Sequence, residues 1–389
     1  MPSYINNNLL STGDINCILD RTISSISNST CTELGDYAFA GCTNLNTINM
    51  PKVSSVGTSA FYKCTPSYVT LGLTQIADNV VANSPEVAIL ANNINLRHLN
   101  LPSCTAIYSS VCMSATNLVS ISVPNVDILT QSAFFGCIAL TEASLPKCGT
   151  TTAYGIGTAA FAKCTSLSKV YAPVIKSLNK NAFSGCTALK EFYAPNMVGT
   201  SDTPFNGVTT LESVTIGYAT VPAWSTTWPN LAYFSDSAAT AIATAAFYGC
   251  TKLKAQNFHA PNVTAIPQSA FRNGGFTYAN STVFPKVAGT IGNYAFYQCA
   301  SLSYVNLPNV TSLGNGVFKG CTALKSVTLP ALTSVAVVST HSTFADCPNL
   351  QSIYLNNYNA PIVRYLFYNN TALKTVSVPK ATTVEANAF

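Results

Sequence analysis

Apolar residues along this chain recur in a block, and the block is ruled by phenylalanine. Ala-Phe or a close variant ends at Phe39, Phe61, Phe134, Phe161, Phe183, Phe247, Phe271, Phe296, Phe318 and Phe389. Phe205, Phe344 and Phe367 hold the same place after a different residue. The commonest step is 22 residues, as from Phe39 to Phe61 or from Phe296 to Phe318. Val81, Cys112 and Trp224 fill the position in degenerate blocks, which brings the number to about sixteen, the last one incomplete. Six residues after Phe stands Leu, as in Leu45, Leu167, Leu189 and Leu324. Leu-x-x-Val-x-Leu then leads to Pro twelve residues after Phe, as in Pro51, Pro124, Pro173 and Pro330. A second apolar pair, such as Val310 and Leu313, precedes the next Phe.

Leu-x-x-Val-x-Leu is too short for a helix and alternates like a strand buried on one side. Repetition every 22 residues predicts strands stacked in parallel, about 4.8 Å apart. Proline cannot donate to such a ladder and ends each strand. One block cannot bury its Phe, Leu and Val alone, so neighbours must stack as coils of a repeat solenoid. Sixteen coils would extend roughly 75 Å.

The unit Gly316-Val-Phe-Lys-Gly-Cys-Thr-Ala-Leu-Lys-Ser-Val-Thr-Leu-Pro330, followed by the Pro-Asn-Val-Thr-Ser-Leu-Gly type of turn, resembles the BspA-like, or Treponema-type, leucine-rich repeat. The resemblance runs from about Thr30 to Phe389. It implies a right-handed superhelix with a parallel β-ladder of short strands on one face, in coils of about 22 residues. It also implies a surface protein of bacteria or protists that acts in adhesion and ligand binding, with no catalytic residues to carry over. Residues 1–29 lie outside the pattern and are expected to form a cap through Ile15, Ile18 and Leu19, or an attachment element; residues 30–389 form the solenoid.

Composition narrows the partners. Charged residues make up 8% and the net charge is +5, with no Lys/Arg run, so the electrostatic footprint of a nucleic-acid binder is missing. No apolar stretch is long enough to span a membrane, and the N-terminus shows no secretory signal pattern. The outer surface must be rich in Ser, Thr, Asn and Tyr. The chain stops at Ala388-Phe389 inside a coil, which implies truncation, a further domain, or an uncapped end that allows end-to-end self-association.

Nine of the 14 cysteines sit three residues after Phe, from Cys42 and Cys64 to Cys347. Others exchange with Val, and Cys112 takes the Phe place, so they read as small buried hydrophobes with free thiols. No Cys-x-x-Cys pair occurs and His98, His259 and His341 are far apart, so no metal or other cofactor is expected. Gly155-Ile-Gly-Thr-Ala-Ala160 opens no helix and reads as turn glycines rather than a dinucleotide loop.

In Leu-x-x-Val-x-Leu the third and fifth positions should point outward. Most are Ser, Thr or Asn. Three consecutive coils differ: Glu142 and Ser144, Lys169 and Tyr171, Glu191 and Tyr193. Stacking would put Glu142, Lys169 and Glu191 in one column and Tyr171 beside Tyr193, a recognition patch of rigid rings with polar tips. The same pattern equally describes a cross-strand ladder that only stabilises the sheet. Tyr304 and Tyr354 repeat the motif farther along. Insertions at 81–112, 147–160, 217–244 and 331–343 read as drift in exposed turns or as loops bordering the binding face.

Two non-enzymatic functions fit. One is a cell-surface or extracellular scaffold that binds a host or bacterial surface protein or glycan through the ladder face and inserted loops. The other is a phage or prophage structural or receptor-binding protein on a virion surface, to which the lead-in Ile18-Leu-Asp-Arg-Thr-Ile-Ser-Ser-Ile is similar. An enzyme would need facing carboxylates or a metal that the register does not supply.

Overall fold

The computed structural model describes residues 4–5, 23–35, 38–57, 60–61, 63–76, 90, 93–150, 155–200, 203–224, 228–336 and 342–389. The chain divides into two compact units, Met1–Val208 and Thr209–Phe389. Each is a parallel β-solenoid. In the first, strands Tyr4–Ile5, Ser25–Ser27, Thr47–Met50, Tyr68–Leu71, His98–Asn100 and Ser120–Ser122 pair in that order, as do Glu142–Ser144, Lys169–Tyr171 and Glu191–Tyr193. In the second, Ser213–Ile216, Tyr233–Asp236 and Phe258–His259 pair in order, as do the five strands from Tyr278–Asn280 to Thr375–Ser377. Helix among the described residues is confined to the short 3-10 segment Ala255–Asn257.

The turns number about fourteen at about 22 residues each, slightly fewer than the sixteen expected. The second apolar pair of each block forms its own short parallel ladders, such as Gln75–Ile76, Ala106–Ile107 and Ile128–Leu129. At the Pro-Asn turns the Asn side chain ties coil to coil: Asn125 Nδ2 donates to Pro102 O at 2.7 Å and Asn196 Nδ2 to Pro173 O at 2.8 Å.

The phenylalanines form the interior spine. Phe134, Phe161, Phe183 and Phe205 stack face to face at 5.3, 5.5 and 5.7 Å. Phe271, Phe296 and Phe318 do the same in the second unit at 5.3 and 5.7 Å. Each buried ring removes enough apolar area from water to contribute about 2 kcal/mol.

Left-handed residues flank Phe on both sides: Ala159 (φ 53°) and Lys163 (φ 60°) around Phe161, Asn181 (φ 57°) and Gly185 (φ 71°) around Phe183. This alternation aims every second N–H at the following coil. Ala159, Phe161 and Lys163 thus donate to the carbonyls of Lys180, Ala182 and Ser184 at 3.0, 2.9 and 2.7 Å. The alternate N–H groups close within the coil, Ala160, Ala162 and Cys164 donating to the carbonyls of Gly157, Ala159 and Phe161 at 3.2, 3.1 and 3.2 Å, so the turn is satisfied both within and between coils.

The described cysteines are buried thiols, and Cys17 lies outside the described residues. They do more than fill space. Cys64, Cys186 and Cys299 donate their thiol hydrogens to Phe39 O, Phe161 O and Phe271 O of the preceding coil, each at 3.0 Å. Cys112 takes the Phe place as expected, its N–H donating to Ala133 O at 2.8 Å. Val81 lies outside the described residues, as do Ile15, Ile18, Leu19, His341 and parts of all four expected insertions. The phenylalanine turn recurs at Leu90, whose carbonyl accepts from Asn93 N–H, followed by Asn93 O accepting from Leu96 N–H. Trp224 packs against Trp228 at 4.5 Å, and Trp228 takes the cysteine position, its carbonyl accepting from Leu231 N–H.

Gly155 and Gly157 flank the bridge residue Ile156, and coil stacking demands them. A Cβ on Gly155 would lie 1.7 Å from Ser177 O, and one on Gly157 2.3 Å from Thr130 C. Asp236 is one departure from the apolar pattern. It pairs with Ile216 in register and is fully buried. Its carboxylate accepts from the N–H groups of Tyr218, Ala238 and Ala239 at 3.1, 3.1 and 3.0 Å, closing the turn where other coils use Pro.

Candidate recognition face

The site is built by the strand period and the repeat length together. Strands Glu142–Ser144, Lys169–Tyr171 and Glu191–Tyr193 each show an exposed, buried, exposed pattern. Ala143, Val170 and Phe192 point inward in register. Phe192 lies edge-on to Phe183 at 5.6 Å and to Phe205 at 5.0 Å, which fixes the strand beneath the outward side chains.

On the outer face Glu142 pairs with Lys169, and Lys169 with Glu191. Lys169 Nζ lies 3.1 Å from Glu191 Oε2, and the two side chains are 50% and 55% exposed. An ion pair that open to water contributes at most about 1 kcal/mol. Tyr171 and Tyr193 pair in register, and their rings stack at 5.2 Å with 9° between planes. Each is 41% exposed. The result is a flat double ring, held by backbone hydrogen bonds, beside an alternating column of charge.

Tyr304 and Tyr354 are also outward, at 37% and 40% exposure, but in separate columns of the second unit. Tyr304 sits between Tyr278 and Ser326, and Tyr354 between Thr328 and Ser377. The structure does not join them into one patch.

Two arrangements escape sequence reasoning. Tyr68 and His98 stack at 4.8 Å on the outer face of the first unit, and His98 Nδ1 lies 2.7 Å from Ser120 Oγ. His98 is thus outward and held by two neighbours. The signal was present, since Tyr68 and His98 occupy equivalent strand positions, but the intervening insertion hides the alignment. The other is a tyrosine cluster around Arg272 at the phenylalanine turn. Among the described residues no three His, Cys, Asp or Glu side chains group as metal ligands, and no helix is long and apolar enough to cross a membrane.

The structure of a leucine-rich repeat protein from Bacteroides ovatus is 19% identical over 89% of this chain and 87% of that one, with a TM-score of 0.40. That of a leucine-rich repeat protein from T. pallidum is 18% identical over 57% and 78%, with a TM-score of 0.24. An internalin from Listeria monocytogenes is 16% identical over 80% and 81%, with a TM-score of 0.28. No protein with a curated description matches the sequence significantly. The family model described as "BspA type Leucine rich repeat region (6 copies)" matches residues 16–141, 105–224, 230–336 and 275–389. With the Phe, Cys, Leu and Pro positions of the repeat carrying the spine, thiol ladder, strands and turns, this chain belongs to the BspA-type leucine-rich-repeat family.

Proposed function

We propose that the protein is a non-enzymatic surface-recognition scaffold that binds a protein or glycan through the ladder face of its first unit. The observation that carries this is the stacked, half-exposed Tyr171–Tyr193 pair beside Lys169 and Glu191. Two rings already fixed by strand register lose little freedom on binding, and their phenol hydroxyls offer hydrogen bonds at the rim. Glu142 extends the charged column, and the segments bordering the ladder enlarge the contact. Tyr304 and Tyr354 serve as separate, smaller contacts in the second unit. BspA-type repeat proteins are generally surface-associated, which supports an extracellular or cell-surface setting and an adhesive role.

Binding of labelled protein to bacterial cells, mucin and matrix proteins tests this. Saturable binding that falls at least roughly tenfold in the Tyr171→Ala/Tyr193→Ala variant supports the patch. Unchanged binding by a folded double variant rejects it.

A further inference from the structure

A second cluster, on a different face, is left unused by this function. Tyr248 follows Phe247, Arg272 follows Phe271 and Tyr297 follows Phe296, so the three occupy one position in successive coils of the second unit. The guanidinium carbon of Arg272 lies 5.8 Å from the Tyr248 ring centre, 4.8 Å from Tyr297 and 5.8 Å from Tyr294. Tyr294 and Tyr297 brace each other edge to face at 5.7 Å. Rings from the coils on either side therefore hold the cation by its π contacts.

Among the described residues no carboxylate pairs with Arg272, and its Nε is enclosed without an acceptor. The adjacent Asn273 has a buried Oδ1 without a donor. The planar guanidinium is fixed by stacking and half-exposed, which leaves the outer edge of its fork to a bidentate oxyanion. Lys319, at the same position in the coil after Tyr297, is already taken by Asp346 at 3.6 Å.

The geometry points to a binding site for an acidic saccharide, a uronic- or sialic-acid residue whose carboxylate is held bidentately by Arg272. Its ring packs against Tyr248 or Tyr297, and its hydroxyls meet the phenol oxygens. One free cation among neutral phenols suits one carboxylate on a polyhydroxylated ring. A run of acidic peptide would call for several free cations. The site uses none of the ladder-face residues, so the two assignments stand or fall separately.

Calorimetric titration with trigalacturonate, maltotriose and triglutamate tests it. Trigalacturonate binds and neutral maltotriose does not. Arg272→Gln weakens the trigalacturonate affinity by roughly tenfold or more, and Arg272→Lys, which keeps the charge without the fork, does not restore it. Tyr171→Ala/Tyr193→Ala leaves it unchanged. Should Arg272→Gln fail to fold by circular dichroism, Arg272→Lys supplies the same comparison. No binding of trigalacturonate, equal binding by a folded Arg272 variant, or equal binding of triglutamate overturns the assignment.

Discussion

The thiol of Cys186 donates a hydrogen bond to the carbonyl oxygen of Phe161, 3.0 Å away in the preceding coil. The same bond recurs from Cys137 to Cys112, from Cys321 to Phe296 and from Cys347 to Phe318, at 3.1, 3.1 and 3.2 Å. Cysteine at this position is thus a small apolar filler that also stitches neighbouring coils. Cys186→Ala should lose both the bond and the sulfur volume, about 1–2 kcal/mol by urea denaturation. Cys186→Ser keeps a donor and should cost less. Equal loss in both variants would reduce the thiol to packing alone.

The same burial predicts an alkaline limit. Burial pushes the thiols of Cys137, Cys186 and Cys299 up to about 12, from an ordinary value of 9.0. An acid whose folded pKa is raised favours the fold while protonated. That stability is complete below pH 9 and is lost as pH rises from 9 towards 12, where the unfolded chain ionises first. Thermal midpoints should therefore fall steeply above pH 9. In native protein at pH 8 a thiol reagent should modify these cysteines only at the rate of unfolding; fast stoichiometric labelling would contradict their burial.

Asp236 predicts a second pH dependence at the acid end. Burial outweighs its three N–H partners and raises its carboxyl from 3.8 to about 6. The fold therefore binds this proton more tightly than the unfolded chain does. Stability from this group is greatest below pH 4 and declines as pH rises through 6. Asp236→Asn keeps an acceptor for Ala238 and Ala239 and should abolish that slope. An unchanged profile between pH 4 and 6 would assign the slope to other groups.

The ladder-face pair can be separated from the fold energetically. A double-mutant cycle on Tyr171 and Tyr193 should give a coupling of about 0.5–1.5 kcal/mol that persists in salt. A cycle on Lys169 and Glu191 should give less than about 1 kcal/mol, reduced by salt. A larger coupling for the ion pair would make it, and not the rings, the organiser of the patch.

The left-handed turn position can be tested at Gly185. Its φ is +71°, and a Cβ there would meet Lys163 only at 3.8 Å, an ordinary contact. Gly185→Ala should therefore cost only the backbone strain, about 1 kcal/mol. Lys163 carries the same conformation at φ 60°, which shows the strain is tolerated once the inter-coil bond is made. A loss of several kcal/mol would point to a packing role.

The sequence alone determined the repeat, the inward and outward alternation and the Tyr171–Tyr193 column. A strand period of two combined with a near-constant step leaves no freedom about which residues face out or which stack. Where the step varied, that logic stopped: Tyr68 finds His98 and Leu90 takes a phenylalanine turn only once the coils are stacked across the insertion. Polar bonds made by residues that look apolar were equally hidden. Cysteine exchanges with valine in the sequence, so its donation to Phe161 O depends on a carbonyl that only the left-handed turn presents. The tertiary structure also decided the fate of Arg272. Its three tyrosines come from two neighbouring coils, and the distances that make a cage of them follow from coil stacking, to which the linear order of residues is blind.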